Sequence, residues 1–233
     1  MFKNQVAEFI YKRTYSRWIE EENRREEWEE TIDRFLSFVI SERPDIPEKT
    51  QTKIKKYMME FGVMPSMRFL WAAGPAAKAD NTCIYNCSFA KINTVDAFAE
   101  CLYILMCGTG FGFSVEQEEV DKLPAIPEIN SGQALKKVVI EDSKAGWADS
   151  VKTLMQSLYE GQNVHFDYSK IRLEGARLKT MGGRASGPQP LVKLHDFIRE
   201  TMHNAQGRQL TSLECHDICN QIAEIVVVGG VRR

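Results

Sequence analysis

The segment from Ala97 to Phe113 constrains the fold more than any other part of the chain. Phe98, Cys101, Leu102 and Leu105 recur at helical spacing. Gly108, Gly110 and Gly112 follow at alternate positions, and Phe111, Phe113 and Val115 then alternate as in a half-buried strand. A helix that feeds a strand through glycines commits the chain to an α/β arrangement. A dinucleotide fingerprint runs strand, glycines, helix, so the reversed order argues against a Rossmann site. The glycines leave two readings open: a tight helix-to-strand turn, or a turn whose bare backbone lets a ligand come close. The run also contains Glu100 and falls short of the roughly 20 apolar residues that span a bilayer, so no membrane span is predicted.

Upstream, Trp28, Ile32, Phe35, Leu36 and Val39 predict a helix that Pro44 and Pro47 end, and Ile54, Tyr57, Met58 and Phe61 predict one face of a second. The acid- and base-rich stretch from Arg13 to Arg34 reads as a solvated outer face. Pro65, Gly74, Pro75, Asp80 and Asn81 break periodicity and predict a loop-rich passage over 62–86. After a Pro-containing linker at 123–127, Trp147, Val151, Leu154, Met155 and Leu158 predict a helix with Asp142 or Ser143 as its N-cap. Leu191, Leu194, Ile198 and Met202 predict another, and Ile218, Ile222 and Ile225 a last one. Ile225 to Val228 is continuous and β-branched, the pattern of a strand buried on both faces. Such a strand needs neighbours. The expectation is therefore a chain that stops in mid-domain, at a loop on the carboxyl side of a strand, where α/β folds hold ligands.

Thirty Lys and Arg against 32 Asp and Glu leave a net charge of -2, so no global positive field recruits nucleic acid and any polyanion site must be local. Lys179-Thr-Met-Gly-Gly-Arg-Ala-Ser-Gly-Pro combines flexible backbone with Lys179, Arg184 and Ser186, groups that hold phosphate, but lacks the spacing of a Walker loop. Gly229-Gly-Val-Arg-Arg repeats the theme. The N-terminal residues lack the apolar core and small-residue cleavage site of a secretory signal, which predicts a cytoplasmic chain.

Six cysteines in that setting do not read as a disulfide scaffold. Cys83-x-x-x-Cys87 and Cys215-His216-x-x-Cys219 match zinc knuckles poorly, because Cys215 and Cys219 share one helical face as core residues do. Core packing is favoured for Cys101, Cys215 and Cys219, and no metal is predicted. A zinc-stabilised interaction domain stays open as an alternative. Cys87 differs: Asn81, Thr82 and Asn86 predict a polar, accessible setting in which a thiol exchanges disulfides. His165, His195, His203 and His216 read as structural, His216 and its neighbour Asp217 facing different ways on a helix.

Several stretches, taken together and in order, resemble one family. They are Arg13-Thr-Tyr-Ser-Arg, Arg24-Arg-Glu-Glu-Trp-Glu-Glu-Thr, Asn86-Cys-Ser-Phe, Gly108-Thr-Gly-Phe-Gly-Phe-Ser-Val-Glu, Asp142-Ser-Lys-Ala-Gly-Trp-Ala-Asp, Gly175-Ala-Arg-Leu-Lys-Thr-Met-Gly-Gly-Arg-Ala-Ser-Gly-Pro and Val226-Val-Val-Gly-Gly-Val-Arg-Arg. They are similar to the adenosylcobalamin-dependent (class II) ribonucleotide reductases, the monomeric ribonucleoside-triphosphate reductase type fitting best, and cover only the N-terminal portion of such an enzyme.

The resemblance implies an N-terminal helical region over 1–80. It further implies the first half of a ten-stranded α/β barrel over 81–233, with an effector-binding segment around 115–180. In the family a thiyl radical generated through adenosylcobalamin takes the ribose 3′ hydrogen. The 2′ hydroxyl leaves as water, and two further cysteines become a disulfide that a thioredoxin-like dithiol reduces. Cys87 matches the first of those two. Its partner and the radical cysteine belong to the C-terminal part, without which no turnover is expected. By the same resemblance Ser66, Asn86 and Gly110 are candidate ribonucleotide contacts. Asp142, Ser143, Lys144 and Trp147 fall in the region for a deoxynucleoside triphosphate effector, and Gly229, Gly230, Arg232 and Arg233 begin the loop that relays effector identity. A nucleotide-binding regulatory fragment without activity is the other alternative. Cys83 is an extra thiol by the family pattern, able to form an off-pathway disulfide with Cys87 only at a Cα separation of roughly 4.4–6.8 Å. Neither a membrane nor direct nucleic-acid contact is implied.

Overall fold

A computed structural model describes residues 2–130, 136–178 and 183–226, and the backbone alone at Lys136. The chain divides into two compact units that meet in sequence between Asn86 and Cys87.

The first unit opens with α1 (Gln5–Thr14), whose first turn is closed by the Asn4 side chain accepting from the Ala7 amide at 2.8 Å. A short antiparallel pair, β1 (Trp18–Ile19) with β2 (Arg24–Arg25), leads into α2 (Trp28–Glu42). As its spacing predicts, α2 buries Trp28, Ile32, Phe35 and Leu36. The next helix, α3 (Glu48–Met59), buries Met58, but Tyr57 on the expected face is 44% exposed. Phe61 lies beyond the helix end at φ +57° and stacks on Trp28, ring centroids 4.9 Å apart.

Two expectations for this unit fail. The passage over 62–86 is not loop-rich: it holds α4 (Met67–Ala72), α5 (Pro75–Ala79) and a 3-10 turn over Asn81–Ile84. Pro75 sits in the first turn of a helix, where its missing N–H costs nothing and its fixed φ helps. Nor is Arg13–Arg34 merely a solvated face. Glu26 is buried, and its carboxylate accepts from Arg34 Nε at 2.6 Å, Thr31 Oγ1 at 2.8 Å and the Arg17 amide at 3.2 Å. Its carbonyl accepts from Ser16 Oγ at 2.6 Å and Tyr11 OH at 3.1 Å. The first two sequence motifs are therefore two halves of one buried polar knot.

The second unit starts with β3 (Cys87–Lys91), crosses over through α6 (Asp96–Met106) and returns as β4 (Gly110–Ser114), parallel to β3. After the short α7 (Gln117–Val120) comes a second strand–helix–strand crossover, β5 (Lys136–Val139), α8 (Lys144–Tyr159) and β6 (Val164–Asp167), again parallel. The described chain closes with α9 (Gln189–Asn204) and α10 (Ser212–Ile225). Phe98 and Leu102 of α6, Val151, Leu154 and Met155 of α8, Leu194 and Ile198 of α9, and Ile218 and Ile222 of α10 pack as one core. Among the described residues the strands pair two by two, in a mixed helix-and-strand unit. Also among them, no helix is long and apolar enough to cross a membrane.

Ile225 closes α10 instead of opening a strand, and Val227 onward lies outside the described residues. Cys101, Cys215 and Cys219 are buried in the core, as expected. Burial pushes the Cys215 thiol up to about 12, and the hydrogen bond with Cys101 together with burial pushes Cys219 up as well, so both stay protonated. His195 is buried between Ser150 Oγ (3.0 Å) and Tyr168 OH (2.7 Å), and burial followed by the Arg199 charge lowers its pKa to about 3. It is a neutral core group. The expectation for His216 is corrected: its Nδ1 lies 3.1 Å from Asp217 Oδ1, so the exposed pair turns together.

Ser143, not Asp142, caps α8, its Oγ accepting from the Gly146 amide at 3.0 Å. A side chain at Gly146 has no room: its Cβ would collide with the Glu141 carbonyl oxygen and stand 2.9 Å from Glu141 Cβ. Gly146→Ala is expected to cost about 2 kcal/mol, as overpacking does, and to lower the melting temperature by about 5 °C in a calorimetric scan. An unchanged melt would refute the account of this motif glycine.

Candidate functional site

The site is built on the β3–β4 pair. Strand side chains alternate between faces, so Cys87, Phe89 and Lys91 share one face and are exposed, while Ser88 and Ala90 take the other. The register sets Cys87 against Gly110 and Phe89 against Gly112. On the Cys87 face, the neighbouring strand thus contributes no side chain at two successive positions. Its aromatic residues, Phe111 and Phe113, pack on the core from the other face. The result is a thiol standing beside a strip of bare backbone.

The glycines divide their work. Gly108 has φ +79° and turns the chain out of α6, which is the tight-turn reading. Gly112 needs no unusual φ, and a Cβ there would meet Ser88 O at 3.6 Å and the Phe89 ring at 3.7 Å, ordinary contacts. Gly112 is therefore dispensable for the backbone, and its bareness leaves the face open. The Ser88 hydroxyl donates to the Gly110 carbonyl at 2.9 Å and fixes the strand ends together. At the opposite end of β3, Lys91 is taken up by buried Glu119, which also bonds Lys122 (2.6 Å) and Asn93 (2.9 Å). Lys122, then Lys91 and Asn93, hold the Glu119 carboxyl down at about 2.

The remaining candidates are scattered. Asn86 directly precedes Cys87 in the chain, and Ser66 belongs to the first unit, where its Oγ accepts from the Phe69 amide and caps α4. Asp142 pairs with Arg172 at 2.6 Å, Trp147 is only 8% exposed within the core, and Lys144 reaches Cys107. Asp142, Lys144 and Trp147 lie in α8 or just before it, not on the strand pair. Gly229, Gly230, Arg232, Arg233 and Lys179 lie outside the described residues. Arg184 spends its guanidinium on the Gly175 carbonyl at 2.9 Å, beside its antiparallel bridge to Arg177. Among the described residues no three His, Cys, Asp or Glu gather to hold a metal, and Cys83 packs in an alanine-lined core of the first unit, which argues against the zinc alternative. Sequence reasoning missed Phe89, 66% exposed beside the thiol; its place two residues after Cys87 in a strand was the available signal.

Residues 1–75 match the ribonucleotide reductase alpha domain, and residues 115–202 the insertion domain of B12-dependent ribonucleotide reductase. Over both stretches the chain is similar to the ribonucleotide reductases. Within them it is similar to the N-terminal portion of the B12-dependent, class II enzymes. An adenosylcobalamin-dependent ribonucleoside-triphosphate reductase from Euglena gracilis is 30% identical over 99% of this chain and 34% of its own length. The enzyme of the same name from Lactobacillus leichmannii is 26% identical over 96% of this chain and 39% of its own. A crystal structure of a B12-dependent (class II) ribonucleotide reductase superposes with a TM-score of 0.81 at 26% identity, over 96% of this chain and 40% of that one. The chain thus spans between a third and two fifths of the length of these relatives.

Proposed function

We propose that this chain is the N-terminal part of a ribonucleoside-triphosphate reductase and that Cys87 is one of its two reducing thiols. The observation that carries the reading is the exposed sulfur beside the bare backbone of Gly110 and Gly112. A ribose lying on that strip presents its 2′ carbon to the thiol without a side chain intervening. In the proposed reaction the 2′ C–O bond breaks, water leaves, a C–H bond takes its place, and two thiols give up two electrons and become a disulfide. A thioredoxin-like dithiol then restores them by exchange. The second thiol and the radical cysteine come from the part of the relatives that lies beyond this stretch.

The same reading makes β3 and β4 the first strands of the ten-stranded barrel, places the enzyme in the cytoplasm, and assigns a deoxynucleoside triphosphate effector to the segment around Asp142–Trp147. Adenosylcobalamin, named for the relatives, supplies the radical in the complete enzyme. The groove between β6 and α9, lined by Asn163, Tyr168 and Arg199, has about 290 Å³, too small for a corrin. No residue of this chain is assigned to hold it.

The test is to co-produce the chain with the matching C-terminal portion of a relative and assay deoxynucleotide formation with adenosylcobalamin and a dithiol. Product is expected; a well-folded complex that forms none overturns the proposal. Gly112→Ala sharpens it. Replacing a strand glycine that has ordinary backbone geometry is expected to gain about 0.5–1 kcal/mol of stability, while the new methyl group crowds the ribose and raises KM about tenfold, worth about 1.4 kcal/mol. An unchanged KM in a stable variant would remove the strip from the binding site.

A further inference from the structure

Outside the strand pair, one more cysteine has a chemically capable neighbour. Cys107 ends α6 and is fully buried, and its sulfur accepts a hydrogen bond from the Lys144 amine, Nζ to Sγ 3.1 Å. Lys144 opens α8 and is half-buried, its Nζ also 5.4 Å from the centre of the Tyr103 ring. Two helices therefore bring a thiol and a primary amine into contact, and the role proposed for Cys87 uses neither. The Lys144 amine hydrogen-bonded to the sulfur stabilises the thiolate, the form that oxidants attack, against the burial that opposes it. A cysteine oxidised to sulfenic acid condenses with a nitrogen within reach.

We propose that Cys107 and Lys144 form a reversible oxidative cross-link, a sulfenamide, in response to hydrogen peroxide. The thiolate attacks one peroxide oxygen: the O–O bond breaks, an S–O bond forms and the sulfur gives up two electrons. The departing hydroxide takes a proton from the lysine ammonium and becomes water. The neutral amine then attacks the sulfenic sulfur: an S–N bond forms, the S–O bond breaks, and the hydroxyl leaves with an amine proton as a second water. Burial favours this outcome over glutathionylation, since peroxide has two heavy atoms and a glutathione molecule many, whereas the amine is already at the sulfur. Cys107 directly precedes Gly108, which turns the chain into β4 and so sets Gly110 beside Cys87. The bond would pin that turn to α8; this consequence for activity rests on the function proposed above, but the cross-link itself does not.

The test is peroxide treatment of the chain, proteolysis and mass spectrometry. The expected product is the Cys107 peptide joined to the Lys144 peptide at a mass two hydrogens below their sum, released by dithiothreitol. It should vanish in Cys107→Ser and in Lys144→Arg, which keeps the charge but not the condensing amine, and persist in Cys87→Ser. The wild-type measurement decides without any variant. No joined peptide while Cys107 stays a thiol or proceeds to sulfinic acid overturns the proposal, and so does a joined peptide that survives in Lys144→Arg. Persistence in Cys87→Ser separates this site from the reductase reading, so that either can fail alone.

Discussion

Replacing Cys87 with serine should reduce steady-state deoxynucleotide formation by the reconstituted enzyme at least about a thousandfold, the scale on which an essential reacting group is lost. The argument is chemical. Serine has nearly the same shape, so the β3–β4 register and the bare strip beside it survive, but a hydroxyl forms no disulfide and gives up no electrons. Because Cys87 is exposed, stability should stay within about 0.5 kcal/mol, and substrate affinity should hold within about twofold. The defect must therefore appear in turnover and not in binding. The measurement is product per enzyme over many cycles with excess dithiol, alongside nucleotide titration of the same preparation. Undiminished cycling by the serine variant would remove Cys87 from the reaction. Cys83 provides the internal comparison: it is buried among Ala72, Ala76 and Ala77, and Cys83→Ala should leave cycling intact.

The elements legible in the sequence are those whose buried face repeats over several turns. α2, α6, α8, α9 and α10 each bury residues at the predicted spacing, because one stripe must meet the core while the rest meets water. The short helices α4 and α5 are hidden for the opposite reason: at five or six residues they have no period to show, and Pro75 reads as a breaker although it begins a helix. Ile225 shows that a β-branched residue at the edge of such a run does not by itself mark where a helix ends. For the site, Cys87 could be found from its polar neighbours and Gly110 from its motif. The meaning of Gly112 and Phe89 depends on which residues lie opposite across two strands, and that register is not written in either strand alone. Nor does composition tell a solvated charge from a buried one, which is why Glu26 and Arg34 passed as surface.

That buried pair carries the largest stability effect expected in the chain. The Arg34 side chain is 15% exposed and that of Glu26 8%, and the two meet through Nε–Oε1 at 2.6 Å and a second guanidinium nitrogen to Oε2 at 3.1 Å. The same guanidinium donates to the Leu70 and Ala73 carbonyls at 3.1 and 2.7 Å, tying α2 to α4 and the turn after it. Arg34→Met keeps the length and removes the charge, leaving a buried carboxylate and two carbonyls short of donors. Breaking one side of such a pair costs about 3–5 kcal/mol, which should be plain in urea melts at pH 7. Adding Glu26→Gln to Arg34→Met should recover about 1–3 kcal/mol, because the uncompensated charge is gone and the two sites share partners. The pH dependence has opposite signs in the two proteins. Burial alone pushes the Glu26 carboxyl up, but the Arg34 hydrogen bond and charge, then Thr31 and the Arg17 amide, outweigh it and hold the group below its ordinary 4.5. In the parent that stabilisation is present above pH 4.5 and is lost as pH falls through the lower folded value. Without Arg34 burial dominates and the folded carboxyl rises, so the variant's deficit should shrink as pH falls from 7 towards 5. A variant within about 1 kcal/mol of the parent, with no such convergence, would mean that the knot is solvated after all.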